Sequence, residues 1–303
     1  MKISVVMSTY NGEKYLLEQL DSIRLQTKTP DEVLIFDDCS TDETFEMLIE
    51  YIQKHNLTAW KAEKNPTNYG WRKSFAQGIA KATGDIIFTA DQDDIWISNK
   101  VQIMSEVLLE KDKINLLVSN YLEMQFDDKP NCIGQKDTYS VKQILFKAKW
   151  FHIQRPGCVF AFRKSLVQPF ADIWFNNYAH DELLWHLGAL TDGLYIIDYT
   201  SILFRRHSNN ATPSNAHNKN TRALNCEIAI EEIERLIEYT NKHNGWIDHN
   251  KYREMNRYFA FEKNRKALLR RFDLLSMLKL ASDIACYIKP QSYLVDIYCA
   301  LQR

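Results

Sequence analysis

The chain has 303 residues, 45% hydrophobic, 25% charged and 12% aromatic, with 9 Gly and 7 Pro, proportions that exclude a disordered or collagen-like polymer. At this length roughly 75% of the unfolded surface can be buried, so no staple is needed to make a core. Lys and Arg total 38 against 39 Asp and Glu, a formal charge of −1, which argues against a nucleic-acid partner gripped over the whole surface.

Residues 3–7 form an apolar run ended by Tyr10-Asn11-Gly12, the pattern of a buried strand. Tyr15, Leu16, Leu20 and Ile23 then recur at helical spacing, so residues 12–26 are expected to be a helix. Residues 33–36 read as a second strand, closed by Asp37-Asp38-Cys39-Ser40. The run Ser40 to Thr44 opens a helix that Ser40 is expected to cap, with Phe45, Leu48, Ile49 and Ile52 as its apolar face. A strand near 58–62, a helix near 69–82 and a strand over 85–90 continue the alternation. The expected class is therefore α/β, a mostly parallel mixed sheet with helices on both faces.

The second half is less regular. Strands are expected at 116–121 and 158–162, and two more at 195–199 and 202–204. From about residue 221 the pattern is helical. Residues 208–220 are small, polar and proline-containing, which marks a loop or linker. The first residues are too few for a signal-peptide core, and no stretch approaches 18 uncharged apolar residues. A cytoplasmic site is expected, with peripheral attachment to the inner face of the plasma membrane left open. Cys39, Cys132, Cys158, Cys226, Cys286 and Cys299 are scattered without a C-x-x-C pair, as free thiols are.

In sheets of this kind ligands bind beyond the carboxyl ends of the strands. Asp37 and Asp38 fall there, and so do Asp91, Asp93 and Asp94. Aspartates one apart at a strand end can share a divalent cation, and hard oxygen ligands suit Mg²⁺ or Mn²⁺. A solvated acidic turn is the plainer alternative.

Four motifs in order carry a resemblance: the run Ser4 to Gly12, the run Phe36 to Thr44, Asn68-Tyr69-Gly70, and the run Ala90 to Trp96 (ADQDDIW). Together they resemble the family 2 nucleotide-sugar glycosyltransferases of the GT-A fold, whose metal-dependent members transfer a sugar with inversion. The Asp-Gln-Asp-Asp-Ile-Trp form, a later His180-Asp181 and the run Arg205 to Asn210 are similar to bacterial rhamnosyltransferases of surface-polysaccharide synthesis. The resemblance covers roughly residues 1–210 and not the helical tail. With the domain boundary placed in the polar loop, residues 1–215 are expected to be the GT-A domain and 216–303 a helical C-terminal region. The resemblance implies a nucleotide pocket lined by Ser8, Thr9 and Tyr10, with Asp38 on the base and Asp91 near the ribose or donor sugar. Asp93 would hold Mn²⁺ or Mg²⁺, Asn68 and Lys73 would touch the donor, and Asp181 would be the general base, with His180 and Glu182 beside it. Where the family often carries a second Asn, position 76 is Ala.

Arg205, Arg206 and His207 at the mouth of an acidic pocket suit a diphosphate, and His207 is a further candidate metal ligand. Trp96 is the candidate stacking face on the acceptor side. The implied partners are a nucleotide-diphosphate sugar, best guessed as dTDP-L-rhamnose, and an oligosaccharide or lipid-linked acceptor, with no nucleic acid. Two alternatives stay open: a haloacid-dehalogenase-type phosphatase using the D-x-D, and a catalytically silent sugar-nucleotide binder. Over 251–271 the cations Lys251, Arg253, Arg257, Lys263, Arg265, Lys266, Arg270 and Arg271 face only Glu254 and Glu262, and leucines follow. That stretch reads either as a membrane-surface element or as packed, dimerising helices with a basic face.

Overall fold

A computed structural model describes residues 1–125, 137–147, 149–206 and 218–302. The chain divides into two compact units: Met1–Ile144 with Ile153–Asn209, and Leu145–His152 with Asn210–Arg303.

The first unit runs β1 (Ile3–Thr9), α1 (Leu16–Arg24), β2 (Glu32–Asp37), α2 (Thr44–Lys54), β3 (Trp60–Lys64), α3 (Trp71–Lys81) and β4 (Ile86–Ala90). It continues with β5 (Ile95–Trp96), α4 (Lys100–Glu110), β6 (Leu116–Gln125), β7 (Val141–Gln143), β8 (Phe160–Arg163), α5 (Val167–Ile173), α6 (His180–Leu190) and β9 (Leu194–Arg206). Every residue of β1, β2 and β4 is buried, as expected of parallel strands covered by helices on both faces. A polar residue survives there because it is paired: the Ser4 hydroxyl donates to Glu32 and accepts from the Gly84 N–H. Among the described residues nine strands make one sheet, ordered β3-β2-β1-β4-β8-β6-β9-β5, with β7 also on β9. The long pairings are parallel (β1 with β2 and β4, β2 with β3, β6 with β9). The short ones, involving β8, β5 and β7, are antiparallel.

The two strands expected at 195–199 and 202–204 are one strand, β9. Between them the Ser201 hydroxyl meets the Ser119 hydroxyl at 2.6 Å in the interior, so the polar break needs no turn. Register shifts beside Asn120 absorb the irregularity in β6.

The second unit contains α7 (Lys219–Lys242), α8 (His249–Arg270), α9 (Leu274–Ser282) and α10 (Gln291–Leu301). The expected boundary at 215/216 lies outside the described residues. Asn218, Asp248 and Asp273 cap α7, α8 and α9 with their side chains. The segment 145–152 belongs here: Phe151 stacks on Tyr258 at 4.8 Å, and the His152 ring contacts the Tyr258 hydroxyl and the Cys286 carbonyl. At the centre, fully buried Asp296 accepts from Arg222, Arg265 and the Tyr287 hydroxyl.

That network engages about half of the cations that the sequence groups over 251–271. Arg257 is held by Asp283, Arg265 by Glu262 and Asp296, and Lys266 and Arg270 by Glu227, while Lys251 is buried. Besides Glu262 on α8 itself, the opposing carboxylates Glu227, Asp283 and Asp296 lie on other elements, which composition along one helix does not reveal.

Candidate active site

The site grows from three parallel strands that end together. Thr9 pairs with Asp37 and Met7 with Ala90, so the loops after β1, β2 and β4 share one edge. The Asp37 carboxylate accepts from the Thr9 hydroxyl, the Ser40 N–H and the Ser40 hydroxyl. Ser40 in turn accepts the Asn11 N–H at 3.0 Å. Ser40 therefore ties two loops together and does not cap α2, whose first N–H is met by Asp42 instead. Thr9, turned inward and 1% exposed, cannot line a pocket with its side chain. Ser8 is also buried, and only Tyr10 of the three stands open, at 45% exposure.

Asp38 was expected on a nucleotide base. In the structure its carboxylate accepts from the Tyr69 and Gly70 N–H groups, both at 2.7 Å, and from the Asn65 amide at 3.1 Å. It therefore shapes the loop that carries Asn68 and Gly70, where Gly70 takes a φ of +85°. Asn68 accepts the Gly70 N–H, and the Lys73 ammonium sits 3.8 Å above the Tyr69 ring.

The acidic turn follows β4. Burial, then the charges of Asp94, Asp93 and Asp181, push the Asp91 carboxyl well above its ordinary range. Burial and Asp93 raise Asp94 to about 7. A ligand-sized group of donor atoms from Asp91, Asp94 and Cys158 lies within 4.8 Å of one another. Among the described residues the buried Asp94 Oδ2 has no hydrogen-bond partner, an acceptor that a bound cation would satisfy. Two carboxylates suit Mg²⁺ or Mn²⁺. The thiol does not, and burial with Asp94 and Asp91 nearby pushes Cys158 further toward its protonated form. The donors that converge are those of Asp91 and Asp94, and Asp93, the expected ligand, acts on both through its charge. His207, the other expected ligand, lies outside the described residues.

Beneath the turn lies Lys100, fully buried, donating to the Cys158 carbonyl at 2.6 Å and lying 3.7 Å from the centre of the Trp96 ring. Burial lowers its ammonium to about 7, against the opposing pull of Cys158, Asp94 and Asp91. Trp96 is correspondingly 3% exposed and packed on Phe88. It is a core residue under the turn, not a stacking face. Arg205 is also committed internally: its N–H reaches Asp94, its Nε the Asp93 carbonyl, and its guanidinium Glu18. It holds the turn in place and is not offered to a diphosphate. Arg206, half-exposed, pairs with Glu123 at 2.9 Å.

The third wall is the start of α6. Strand β8 lies beside β4, and just before it the Gly157 carbonyl accepts the Thr89 hydroxyl at 2.6 Å. A Cβ on Gly157 would stand 2.7 Å from His180 Nε2 and 2.9 Å from Asp181 Cβ. Glycine is what lets the helix start approach, and the field of Asp181 consequently reaches Asp91. The Asp181 carboxylate accepts the Glu182 N–H at 3.0 Å. Burial and Asp181 push Glu182 up to about 7. His180, expected at an acceptor surface, is instead buried, stacked 3.8 Å from Phe75 with neither ring nitrogen paired. Burial lowers it to about 4, leaving a neutral imidazole.

Sequence reasoning missed Gln92, Lys100, Asn65 and the role of Gly157. The Gln92 amide accepts the Tyr10 N–H at 2.7 Å and donates to the Tyr10 carbonyl at 3.0 Å. Its position inside the D-x-D was the available signal. Nothing local distinguishes Lys100 from a surface lysine.

Known proteins resemble the chain in sequence and in fold. A 96-residue segment is 40% identical to the poly(ribitol-phosphate) beta-N-acetylglucosaminyltransferase TarS of Staphylococcus aureus, covering 31% of this chain and only 16% of TarS. Over 220 residues the chain is 26% identical to the dTDP-rhamnosyl transferase RfbG of Shigella flexneri, covering 69% of this chain and 74% of that protein. In structure, residues 1–349 of S. aureus TarS in complex with UDP-GlcNAc match with a TM-score of 0.60 at 18% identity, over 94% of this chain and 90% of that one. The mannosyltransferase PcManGT from Pyrobaculum calidifontis, in complex with GDP-Man and Mn²⁺, matches with a TM-score of 0.54 at 15% identity, over 99% and 80%. Likeness at these identities is likeness of fold, here GT-A. Residues 4–168 match the Glycosyl transferase family 2, a span of more than half the chain that runs from the first strand through the acidic turn into α5; the chain belongs to that family.

Proposed function

We propose that the chain transfers a sugar from a nucleotide-diphosphate donor to a hydroxyl of a polysaccharide or lipid-linked glycan, with inversion at the anomeric carbon. The observation that carries this reading is the approach of Asp181 to Asp91 across Gly157. It supports Asp181 as a candidate base near a cluster suited to a cation. Asp91 and Asp94 would hold Mn²⁺ or Mg²⁺ with Asp93 close by, and the cation would supply charge neutralisation for the departing diphosphate. Asp181 takes the proton of the attacking hydroxyl. The open Tyr10 ring and the loop held by Asp38 bound the nucleotide side. His180, neutral and packed on Phe75, fixes the start of α6. Glu182, raised to about 7, is the neighbour able to hold a proton near neutrality.

For the donor we favour dTDP-L-rhamnose, because the match to RfbG extends over 69% of the chain. UDP-GlcNAc is the second reading, favoured by the 40% identity to TarS in a shorter segment. The phosphatase alternative finds no support: the D-x-D follows the fourth strand, and β1 ends in Ser8-Thr9. Thermal shifts with dTDP-rhamnose, UDP-GlcNAc and GDP-mannose, with and without Mn²⁺, test the proposal. A metal-dependent shift with one donor is expected. No shift with any of them, together with turnover of simple phosphate esters, would reject it.

A further inference from the structure

We infer that the outward face of α9 and α10 lies on the surface of an anionic phospholipid bilayer. Among the described residues eighteen large apolar side chains are exposed, and nine of them fall between Phe272 and Leu301. In α9, Leu274, Leu275 and Leu278 point outward while Ser276 and Leu280 are buried. In α10, Leu294, Tyr298 and Leu301, spaced four and three residues apart, form one stripe at 65%, 62% and 61% exposure. The opposite side of α10 carries buried Asp296 and Cys299. Both helices thus bury a polar group, Ser276 in α9 and Asp296 in α10, while leaving most of their leucines outward, unlike an ordinary surface helix. Ile284 and Ile288, in the connection between them, are exposed as well.

Charge decides what this face meets. From 271 onward the described carboxylates are all engaged within the fold: Asp273 caps α9, Asp283 holds Arg257, and Asp296 is buried between Arg222 and Arg265. The exposed cations Arg271, Lys279 and Lys289 have no ion-pair partner among the described residues. A second copy would set these cations against their own kind, with no carboxylate to receive them. Anionic headgroups receive them, and acyl chains receive the leucines. No helix among the described residues is long and apolar enough to cross a membrane, so the contact is with the surface. This would hold the chain where a lipid-linked acceptor lies; that last clause rests on the proposed transfer, whereas the surface itself does not.

The test is co-sedimentation of the full chain with phosphatidylglycerol-containing vesicles and with pure phosphatidylcholine vesicles. Two variants accompany it, L274S/L278S/L294S/Y298S and R271E/K279E/K289E. The wild type is expected to bind anionic vesicles, with at least a tenfold loss in either variant and in about 0.5 M salt, while its thermal shift with donor is unchanged. Should the leucine variant fail to fold, the charge-reversal variant decides alone. Absence of wild-type binding, equal binding to phosphatidylcholine, or a dimer in sedimentation velocity that the leucine variant dissociates would each overturn the inference.

Discussion

Asp94 and Asp296 are both buried, at 1% and 0% exposure, yet their surroundings differ in kind. Asp296 is enclosed by two guanidiniums and a phenol. Asp94 shares its turn with Asp91 and Asp93, receives one backbone N–H from Arg205, and leaves an oxygen without a hydrogen-bond partner among the described residues. The first is a charge that folding has balanced from within, as interior ion networks must be to survive desolvation. The second is crowded by like charges, with buried Lys100 offsetting them only in part, which leaves room for something outside the chain to complete the balance. Burial alone does not separate a structural carboxylate from a functional one; the completeness of its partners does.

The largest effect that would sharpen this contrast is expected at the rim. Asp181→Asn should lower sugar transfer by about 10³-fold while leaving donor affinity unchanged, measured by product formation and calorimetric donor titration. Retained turnover would break the assignment of the base. Next, Asp296→Asn should leave the donor thermal shift in place but destabilise the C-terminal unit by about 3–5 kcal/mol, because Arg222 and Arg265 are left without their counter-charge. Urea unfolding checks it, and an unchanged midpoint would show that the network is dispensable.

The smallest expected effect is the most diagnostic. Asp94 has its folded value raised from 3.8 to about 7. Its favourable contribution is therefore complete below the unfolded value and is lost as pH rises through the folded one. Asp94→Asn, which cannot ionise, should match the wild type near pH 4 and exceed it by about 1–3 kcal/mol at pH 8 in chelator-treated buffer. Excess Mn²⁺ should reverse the order, since it binds and stabilises only the carboxylate form. Parallel unfolding curves at both pH values would mean that Asp94 is balanced after all.

Much of the first unit was legible in the order of its residues. Strand–helix alternation led to β1 through β4, and from there to the shared edge where Asp37, Asp38 and Asp91 to Asp94 gather. What stayed hidden depends on long-range return of the chain. Strand β8 enters between β4 and β6 and brings Gly157 and Cys158 under the turn, and no local pattern announces that pairing. Trp96 was expected as a stacking face beside the acidic loop and Lys100 drew no expectation, but the two-residue strand β5 pairs with β9, and both residues sit in the interior. Arg205 looked like a phosphate clamp because its nearest charges in sequence are Arg206 and His207; in space its guanidinium meets Glu18 and the Asp93 carbonyl, and its backbone N–H meets Asp94. The same limitation applied to α8, whose cations find their acids on α7, α10 and the turn after α9.

The Gln92 carboxamide has a mechanical consequence. By donating to and accepting from one residue of a loop 82 positions earlier, it adds a side-chain rung beyond the last backbone rung between β1 and β4. The turn that gathers the carboxylates and the loop that presents the Tyr10 ring are thereby yoked, and displacement of either drags the other. Glutamate at this position would keep the size but set a carboxylate oxygen against the Tyr10 carbonyl. The yoke would open there, with every aspartate of the rim still in place.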